Sequence, residues 1–237
     1  MTAAERLIVA LDVADLESAR RLVQRVAPHV TSFKVGSELF TACGPAAVEL
    51  VQKVGGRVFL DLKFHDIPNT VARAARVATR LGVWMFNLHV QGGAAMLREA
   101  TAAVNEETRR AKGPRPLVVG VTVLTSMAER DLADLGIRKT MKDQVLYLAQ
   151  LAQKAGLDGI VASAQETQVL RFACGPQFVI VTPGIRPAGA QWGDQQRVET
   201  PAVAVRAGAT YLVVGRPITE APDPAAAAQG ILRELEG

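Results

Sequence analysis

Residues 57–88 read RVFLDLKFHDIPNTVARAARVATRLGVWMFNL, and this stretch contains a complete strand–helix–strand unit. Residues 57–61 and 83–88 are short apolar runs of the kind that form buried strands. Between them, residues 69–81 carry apolar side chains at helical spacing. Two strands joined through a helix predict a parallel β–α–β unit.

The same alternation continues in both directions along the chain. The predicted strands are residues 7–11, 32–35, 57–61, 83–88, 116–121, 159–162, 178–181 and 211–214. The predicted helices are residues 16–26 (capped by Asp15), 37–54, 69–81, 93–110, 141–155, 164–172, 201–207 and 224–235. Eight strand–helix pairs in 237 residues predict an α/β protein folded as a single (β/α)8 TIM barrel, one catalytic domain over residues 1–237.

A doubly wound open sheet is the alternative arrangement of parallel strands and helices. Its usual phosphate-binding fingerprint, G-x-G-x-x-G, does not follow the first strand at residues 7–12. The composition fits either fold, because 49% of residues are hydrophobic and only 5% are aromatic. The missing fingerprint favours the barrel.

Charge and hydropathy exclude several classes of partner. The net charge is +4, but the basic residues are scattered and do not alternate with aromatics, so no nucleic-acid partner is expected. No apolar run approaches the roughly 20 residues of a membrane span, and residues 1–6 do not resemble a secretory leader. Two cysteines, Cys43 and Cys174, fit reduced packing residues. We expect a soluble cytoplasmic protein with a small-molecule substrate.

Polar side chains concentrate where the predicted strands end, which is where barrel enzymes place their chemistry. The first two strands carry Asp12 and Lys34, and the third ends in Asp61 with Lys63 directly after it. Alternate strand residues point the same way, so Asp61 and Lys63 are expected to project together into the barrel mouth, with Lys34 beside them. Asp66 follows just beyond.

A purely structural ion-pair network is the alternative for these charges, and Asp66 alone also fits a helix N-cap ahead of Pro68. Buried charges are costly to desolvate, so Lys34, Asp61 and Lys63 together favour a catalytic array. The fourth strand leads to Asn87 and His89, and the fifth to Thr122, Thr125 and Ser126. We interpret His89 as orienting its neighbours and His65 as structural.

A second constellation follows the seventh and eighth predicted strands, where barrels commonly bind phosphate. Gly215 allows backbone N–H groups to approach phosphate oxygens, and Arg216 can bind two of them with its forked guanidinium. Arg186 and Gln195 add further donors. These residues predict a phosphate monoester as the ligand.

The motif Asp61-Leu-Lys63-Phe-His-Asp66-Ile-Pro-Asn-Thr70 resembles the signature of the orotidine 5'-phosphate decarboxylases. The resemblance also runs through residues 11–12, 33–36, 123–126, 182–187 and 214–219, and thus along essentially the whole chain. It implies decarboxylation of orotidine 5'-monophosphate to uridine 5'-monophosphate in de novo pyrimidine biosynthesis, without metal or organic cofactor.

The resemblance also implies a role for each site residue. Lys63 would donate a proton to C6 of the pyrimidine, within an array of Lys34, Asp61, Lys63 and Asp66. Asp12 and Lys34 would bind the ribose, and Thr125 and Ser126 would contact the pyrimidine. The phosphate would be held by Arg186, Gln195, Gly215 and Arg216. Asp66 and Thr70 would reach into the partner's site, which implies a homodimer.

Two rival functions remain at this point. Magnesium-dependent sugar-phosphate enzymes on related barrels share the Asp-x-Lys-x-x-Asp pattern, but they have an acidic residue where this chain has Lys34. A cation there disfavours a metal, which needs oxygen ligands. A non-catalytic barrel that binds a phosphorylated ligand would need Arg216 but not the array of Lys34, Asp61 and Lys63.

Overall fold

A computed structural model describes residues 1–187 and 199–236. The strands are β1 (Leu7–Ala10), β2 (Ser32–Gly36), β3 (Arg57–Phe64), β4 (Met85–His89), β5 (Leu117–Val121), β6 (Gly159–Val161), β7 (Val179–Thr182) and β8 (Tyr211–Val214). The helices are α1 (Ala3–Arg6), α2 (Leu16–Val26), α3 (Ser37–Cys43), α4 (Ala46–Gln52), α5 (Pro68–Arg80), α6 (Gly93–Ala111), α7 (Glu129–Asp134), α8 (Met141–Lys154), α9 (Ala164–Cys174), α10 (Pro201–Arg206), α11 (Arg216–Thr219) and α12 (Pro224–Glu236). A 3-10 turn covers Val90–Gly92.

The eight strands close into a parallel barrel in chain order, with β8 paired to β1. The register places Ala10 beside Lys34 and Gly36 beside Asp61. All carboxyl ends therefore meet at one mouth, which is where the polar strand ends were expected. The prediction of a single (β/α)8 barrel is confirmed, whereas a single domain over residues 1–237 stays a prediction.

The strands are apolar on both faces because each face packs against a separate apolar layer. On β1, Ile8 points into the barrel while Leu7 and Val9 pack outward against the helices. The inner layer consists of Ile8, Ala10, Phe59, Met85, Val119, Val181 and Val213. Branched aliphatic side chains with Ala10, Phe59 and Met85 fill this interior, so the barrel is a packed core and the free space lies at its mouth.

Several helix boundaries follow from local sequence signals. Asp15 caps α2 as predicted, since its Oδ1 accepts a hydrogen bond from the Ser18 N–H at 2.7 Å. The single helix predicted over residues 37–54 is wrong: α3 ends at Gly44, which has a φ of 57°, and α4 starts after Pro45. None of the described helices is long and apolar enough to cross a membrane.

The third strand departs from its predicted bounds at the carboxyl end. We predicted residues 57–61, whereas β3 continues to Phe64 and its pairing with β4 shifts register between Leu60 and Phe64. The short helices α1, α7 and α11 were also not predicted; α1 and α11 span four residues each, too few for a periodic signal.

Candidate active site

Four charged side chains form a row across the ends of β1, β2 and β3. The Lys34 ammonium lies 2.7 Å from Asp12 Oδ1 and 3.3 Å from Asp61 Oδ2, and the Lys63 ammonium lies 2.8 Å from Asp61 Oδ1. Cations and carboxylates therefore alternate in the order Asp12, Lys34, Asp61, Lys63. Each cation lies next to at least one carboxylate, which offsets part of its desolvation.

Lys34 and Asp61 form the buried centre of this row, with side chains only 10% and 11% exposed. Burial alone would lower the pKa of Lys34, but the charges and hydrogen bonds of Asp61 and Asp12 raise it above its ordinary value. Lys34 is thus a permanent cation. A Cβ on Gly36 would lie 2.8 Å from the Lys34 Nζ and 3.0 Å from Asp12 Oδ1, so glycine leaves room for their ion pair.

Lys63 reaches the row by a different backbone route from the one expected. Regular alternation would have brought Asp61 and Lys63 together, but Lys63 has a φ of 51°, in the left-handed region. The side chains nonetheless converge at 2.8 Å. A positive φ is strained for a residue with a Cβ, and such strain often accumulates at functional sites.

Asn87 is a site residue to which sequence reasoning gave no role. It lies on β4, is 1% exposed, and contacts both members of the Asp61–Lys63 pair. The only sequence signal was one amide in an otherwise apolar strand segment, Met85-Phe-Asn-Leu88.

An apolar pocket opens beside the charged row. Its lining combines Lys34, Asp61 and Lys63 with Phe59, Val121, Val123, Leu124, Thr125, Val161, Ala162, Pro183 and Val213. Charges on one side and aliphatic groups on the other suit a flat heterocycle with one charged substituent. Thr125 lies at this pocket as expected, whereas Ser126 is exposed beside it and is not one of the lining residues above.

A second, more polar pocket adjoins the first, and Lys34 lines both. Its other polar contributors are Asp12, Arg186, Arg216 and the backbone around Gly184 and Gly215. Burial, then the charge of Arg216, lowers the pKa of Arg186, while Glu220 opposes this shift. Two guanidinium groups at one pocket form a site suited to an anion. Gln195 lies outside the described residues.

Asp66 and Thr70 do not join the row within this chain. Both are exposed and line a separate depression with Lys63 and His65. Asp66 Oδ1 accepts a hydrogen bond from the Ile67 N–H at 2.6 Å, and Ile67 is the N-cap of α5, so the alternative of Asp66 as the N-cap is wrong. In residues 1–187 and 199–236, no ion pair joins Asp66 to Lys34 or Lys63.

His65 and His89 form a tilted pair behind Lys63, with ring centroids 5.3 Å apart. Burial lowers the pKa of His89, with further contributions from His65 and Lys63, and Asp61 opposes the shift. His89 is therefore neutral near pH 7. Thr122 makes a structural contact, since its hydroxyl donates a hydrogen bond to the Val161 carbonyl at 2.9 Å.

In the described part of the chain, no group of three or more His, Cys, Asp or Glu residues could hold a metal ion.

Fold and site together define a (β/α)8-barrel enzyme with its charged centre at the carboxyl ends of the strands. The family model described as "Orotidine 5'-phosphate decarboxylase / HUMPS family" matches residues 5–231. The chain therefore belongs to this family.

Individual relatives agree with this assignment over their full lengths. An orotidine 5'-phosphate decarboxylase of Moorella thermoacetica is 58% identical over 100% of this chain and 94% of that protein. One of Geobacter metallireducens is 53% identical over 98% and 97% of the two chains. The crystal structure of orotidine 5'-phosphate decarboxylase from Lactobacillus acidophilus superposes with a TM-score of 0.87 at 37% identity, covering 98% of this chain and 100% of that one. Family membership makes the chain a carboxy-lyase.

Proposed function

We propose that the chain decarboxylates orotidine 5'-monophosphate to uridine 5'-monophosphate in de novo pyrimidine biosynthesis, without metal or organic cofactor. The observation that carries the proposal is that the two pockets adjoin each other at Lys34. Lys34 lines both, and it connects the Asp61–Lys63 pair to the pocket that contains Arg186 and Arg216. A nucleotide has the matching layout of base, ribose and phosphate.

The substrate would span the two pockets in a single orientation. Its phosphate would bind Arg186, Arg216 and the backbone at Gly215, with Gln195 as an additional donor. Its ribose would contact Asp12 and Lys34, which form an ion pair at 2.7 Å where the pockets meet. The pyrimidine would then enter the apolar pocket near Thr125, with Ser126 at its rim and its carboxylate directed at Asp61 and Lys63.

Lys63 would carry the chemical step. The bond between C6 and the carboxylate breaks, carbon dioxide leaves, and the electron pair stays on C6. The ammonium of Lys63 stabilises this carbanion and then transfers a proton to C6, after which solvent reprotonates the lysine. An ammonium fixed in a partly desolvated pocket combines electrostatic preorganisation with general-acid catalysis.

Asp61 and Lys34 would prepare Lys63 for that step. Asp61 contacts both ammonium groups, so it keeps Lys63 charged and oriented. The ammonium of Lys34 offsets part of the negative charge of Asp61. Asp61 would also lie close to the substrate carboxylate and favour its departure as neutral carbon dioxide, a ground-state effect. Phosphate binding, remote from C6, can contribute to the rate by fixing this geometry.

Asp66 and Thr70 would complete the site of a partner chain in a homodimer. Both are exposed, and the depression that they line also includes Lys63, so a second chain docked there would bring its own Asp66 towards this lysine. The array of Lys34, Asp61, Lys63 and Asp66 would then be assembled from two chains. A two-fold dimer makes such a contact twice and gives two equivalent sites.

Turnover measured in a chelator tests the proposed reaction. We expect purified protein in EDTA to consume orotidine 5'-monophosphate, followed by its absorbance, and Lys63→Ala to lower kcat by at least about 10⁴-fold, because it removes both the proton donor and the cation. Absence of turnover, or turnover only after magnesium is restored, would refute the cofactor-free reaction and favour a metal-dependent sugar-phosphate enzyme.

Mixing inactive variants tests the composite site. Lys63→Ala and Asp66→Ala chains that exchange subunits produce heterodimers with one site that carries both substitutions and one that carries neither. We expect the mixture to recover about a quarter of the wild-type activity, the statistical share of intact sites. The control mixture of Lys63→Ala with Asp61→Ala should recover none, since these residues act in the same chain. Equal behaviour of the two mixtures would contradict the composite site.

A further inference from the structure

The pairing of β3 with β4 is irregular next to the catalytic pair. Leu60 pairs with Phe86 and Phe64 pairs with Leu88, so three residues of β3, numbers 61–63, face a single residue of β4, Asn87. Two extra residues in one strand remove ladder hydrogen bonds and re-aim the side chains of that strand. Something other than regular pairing must hold this part of β3 in place.

The Asn87 side chain supplies the missing contacts. Its Oδ1 accepts a hydrogen bond from the backbone N–H of Lys63 at 2.8 Å, and its Nδ2 donates to Asp61 Oδ1 at 2.6 Å. The same Asp61 oxygen accepts from the Lys63 ammonium at 2.8 Å. One amide thus connects the backbone of the lysine to the carboxylate that contacts its side chain. The amide orientation is fixed, because only Nδ2 can donate to Asp61.

The Lys63 backbone needs such a restraint. Its φ of 51° lies in the left-handed region, where the Cβ of a non-glycine residue comes too close to the backbone. A conformation of this kind persists only where surrounding contacts favour it over the relaxed alternative. A buried hydrogen bond to the Lys63 N–H does this directly, since relaxing the backbone would leave both the N–H and the Asn87 oxygen unpaired.

We infer that Asn87 is a positioning residue for the reaction: it holds the left-handed backbone of Lys63 and orients Asp61, so that ammonium and carboxylate meet at a fixed point in the pocket. The inference rests on the proposed function. Asn87 is 1% exposed and acts from beneath the pocket, so its effect on substrate passes through Lys63 and Asp61.

The choice of asparagine follows from the two contacts. Alanine would remove both of them and leave the Lys63 N–H and one Asp61 lone pair unsatisfied. Aspartate has the same shape and can still accept from the Lys63 N–H, but its second oxygen would face Asp61 Oδ1. Two carboxylates at that distance cannot both ionise, and one shared proton would restore the net charge of the wild-type pair.

Kinetics of Asn87→Ala and Asn87→Asp test the inference. We expect Asn87→Ala to lower kcat by about 100-fold, the usual cost of a misplacement near 1 Å. KM and the affinity for uridine 5'-monophosphate should stay unchanged, because Arg186 and Arg216 bind the phosphate independently. Asn105→Ala is the matched control: it removes an asparagine of α6 whose Oδ1 accepts a hydrogen bond from Arg115 Nε, and we expect wild-type kcat.

The pH profile of Asn87→Asp separates positioning from a merely structural role. Its kcat should rise relative to wild type as the pH falls, because the shared proton restores a donor to Asp61. Lys34, Lys63 and His89 also face this pair, so the wild-type profile measured in parallel is the reference for the comparison. A crystal structure of Asn87→Ala should show Lys63 outside the left-handed region or separated from Asp61.

The outcomes distinguish this inference from the reaction itself. An inactive wild type would refute the proposed function, and the crystal structure of the variant would still decide whether Asn87 holds Lys63. Wild-type kcat in Asn87→Ala, or an unchanged Lys63 conformation, would overturn the inference and leave the reaction intact. Should Asn87→Ala fail to fold, the isosteric Asn87→Asp decides: a kcat–pH profile equal to wild type would also overturn it.

Discussion

Strand β3 carries charge at both ends, and the two ends handle it differently. At the amino end, the Arg57 guanidinium donates to Ser32 Oγ at 2.8 Å and lies 4.3 Å from the centre of the Trp84 ring. Trp84 in turn contacts Tyr211 edge to face, with centroids 4.9 Å apart. At the carboxyl end, the Asp61–Lys63 pair faces a pocket instead of an aromatic ring.

The difference lies in what each charge can still bind. Arg57 is half-buried, and its direct contacts at the lower end of the barrel are neutral hydroxyl, carbonyl and aromatic groups. At the mouth, cations and carboxylates alternate and part of the Lys63 side chain, 34%, stays exposed. Contacts at a closed end stabilise the fold, whereas exposed charges at an open end can still interact with a charged ligand. The comparison predicts that substitutions at the two ends change different measured quantities.

At the open end, Arg216→Ala should have the largest effect of the remaining tests. We expect kcat/KM for orotidine 5'-monophosphate to fall by about 100-fold, because a charge-assisted hydrogen bond to phosphate contributes roughly 1.5–3 kcal/mol. Turnover of orotidine, which has no phosphate, should not change. The exposed Arg206 on α10 provides the control, and Arg206→Ala should match wild type. An equal loss with both substrates would contradict a phosphate contact.

At the closed end, Arg57→Ala should change stability and leave catalysis alone. The loss of the cation–π contact and of the hydrogen bonds to Ser32 is expected to lower the free energy of unfolding by about 2 kcal/mol. Urea denaturation measures this change, and kcat/KM of the folded variant should equal wild type. Arg57→Lys keeps the charge without the forked guanidinium, so its free energy of unfolding should lie between those of wild type and Arg57→Ala. A kcat effect with normal stability would show that the two ends are coupled.

The barrel could be predicted from sequence because its determinants are local and repeated. Each buried strand is a short apolar run and each helix has its own period, so eight pairs were visible without any knowledge of contacts. The break at Gly44-Pro45 was also present in the sequence, but the apolar period continues across it and concealed it. The period reports which side chains are buried, and both α3 and α4 bury theirs on the same layer.

The site was predictable as a set of residues and only partly as a geometry. Lys34, Asp61 and Lys63 were placed together on regular alternation, yet the strand is irregular there and Lys63 arrives through a positive φ. Asn87 shows the limit most clearly, since its importance comes from three residues facing one across two strands. Such a register cannot be derived from one strand's pattern.

The backbone of Lys63 allows a final test of the difference between the two ends. Among the described non-glycine residues, only Lys63 and Lys112 have positive φ, both at 51°. Lys112 is the exposed C-cap of α6, where a left-handed residue ends a helix and has no catalytic neighbour. The two lysines share a conformation and differ in what holds it.

Glycine and alanine at each position measure that strain separately from the side chain. Both substitutions remove the ammonium, but only glycine adopts positive φ without a Cβ penalty. The free energy of unfolding of Lys112→Gly should therefore be about 1 kcal/mol higher than that of Lys112→Ala. This difference is what remains after subtracting the entropy that glycine adds to the unfolded state. We expect a similar difference between Lys63→Gly and Lys63→Ala, measured by urea denaturation, with activity lost in both.

A difference at both positions would mean that the fold accepts the same backbone cost twice, once to end a helix and once to place the catalytic ammonium. The result at Lys63 would then sharpen the contrast between the ends of β3, since no described non-glycine residue at the closed end has a positive φ. A difference at Lys112 but none at Lys63 would mean that alanine at position 63 relaxes to ordinary β geometry. In that case the left-handed backbone depends on the Lys63 ammonium and its contact with Asp61, and the hydrogen bond that the Lys63 N–H donates to Asn87 does not hold it alone.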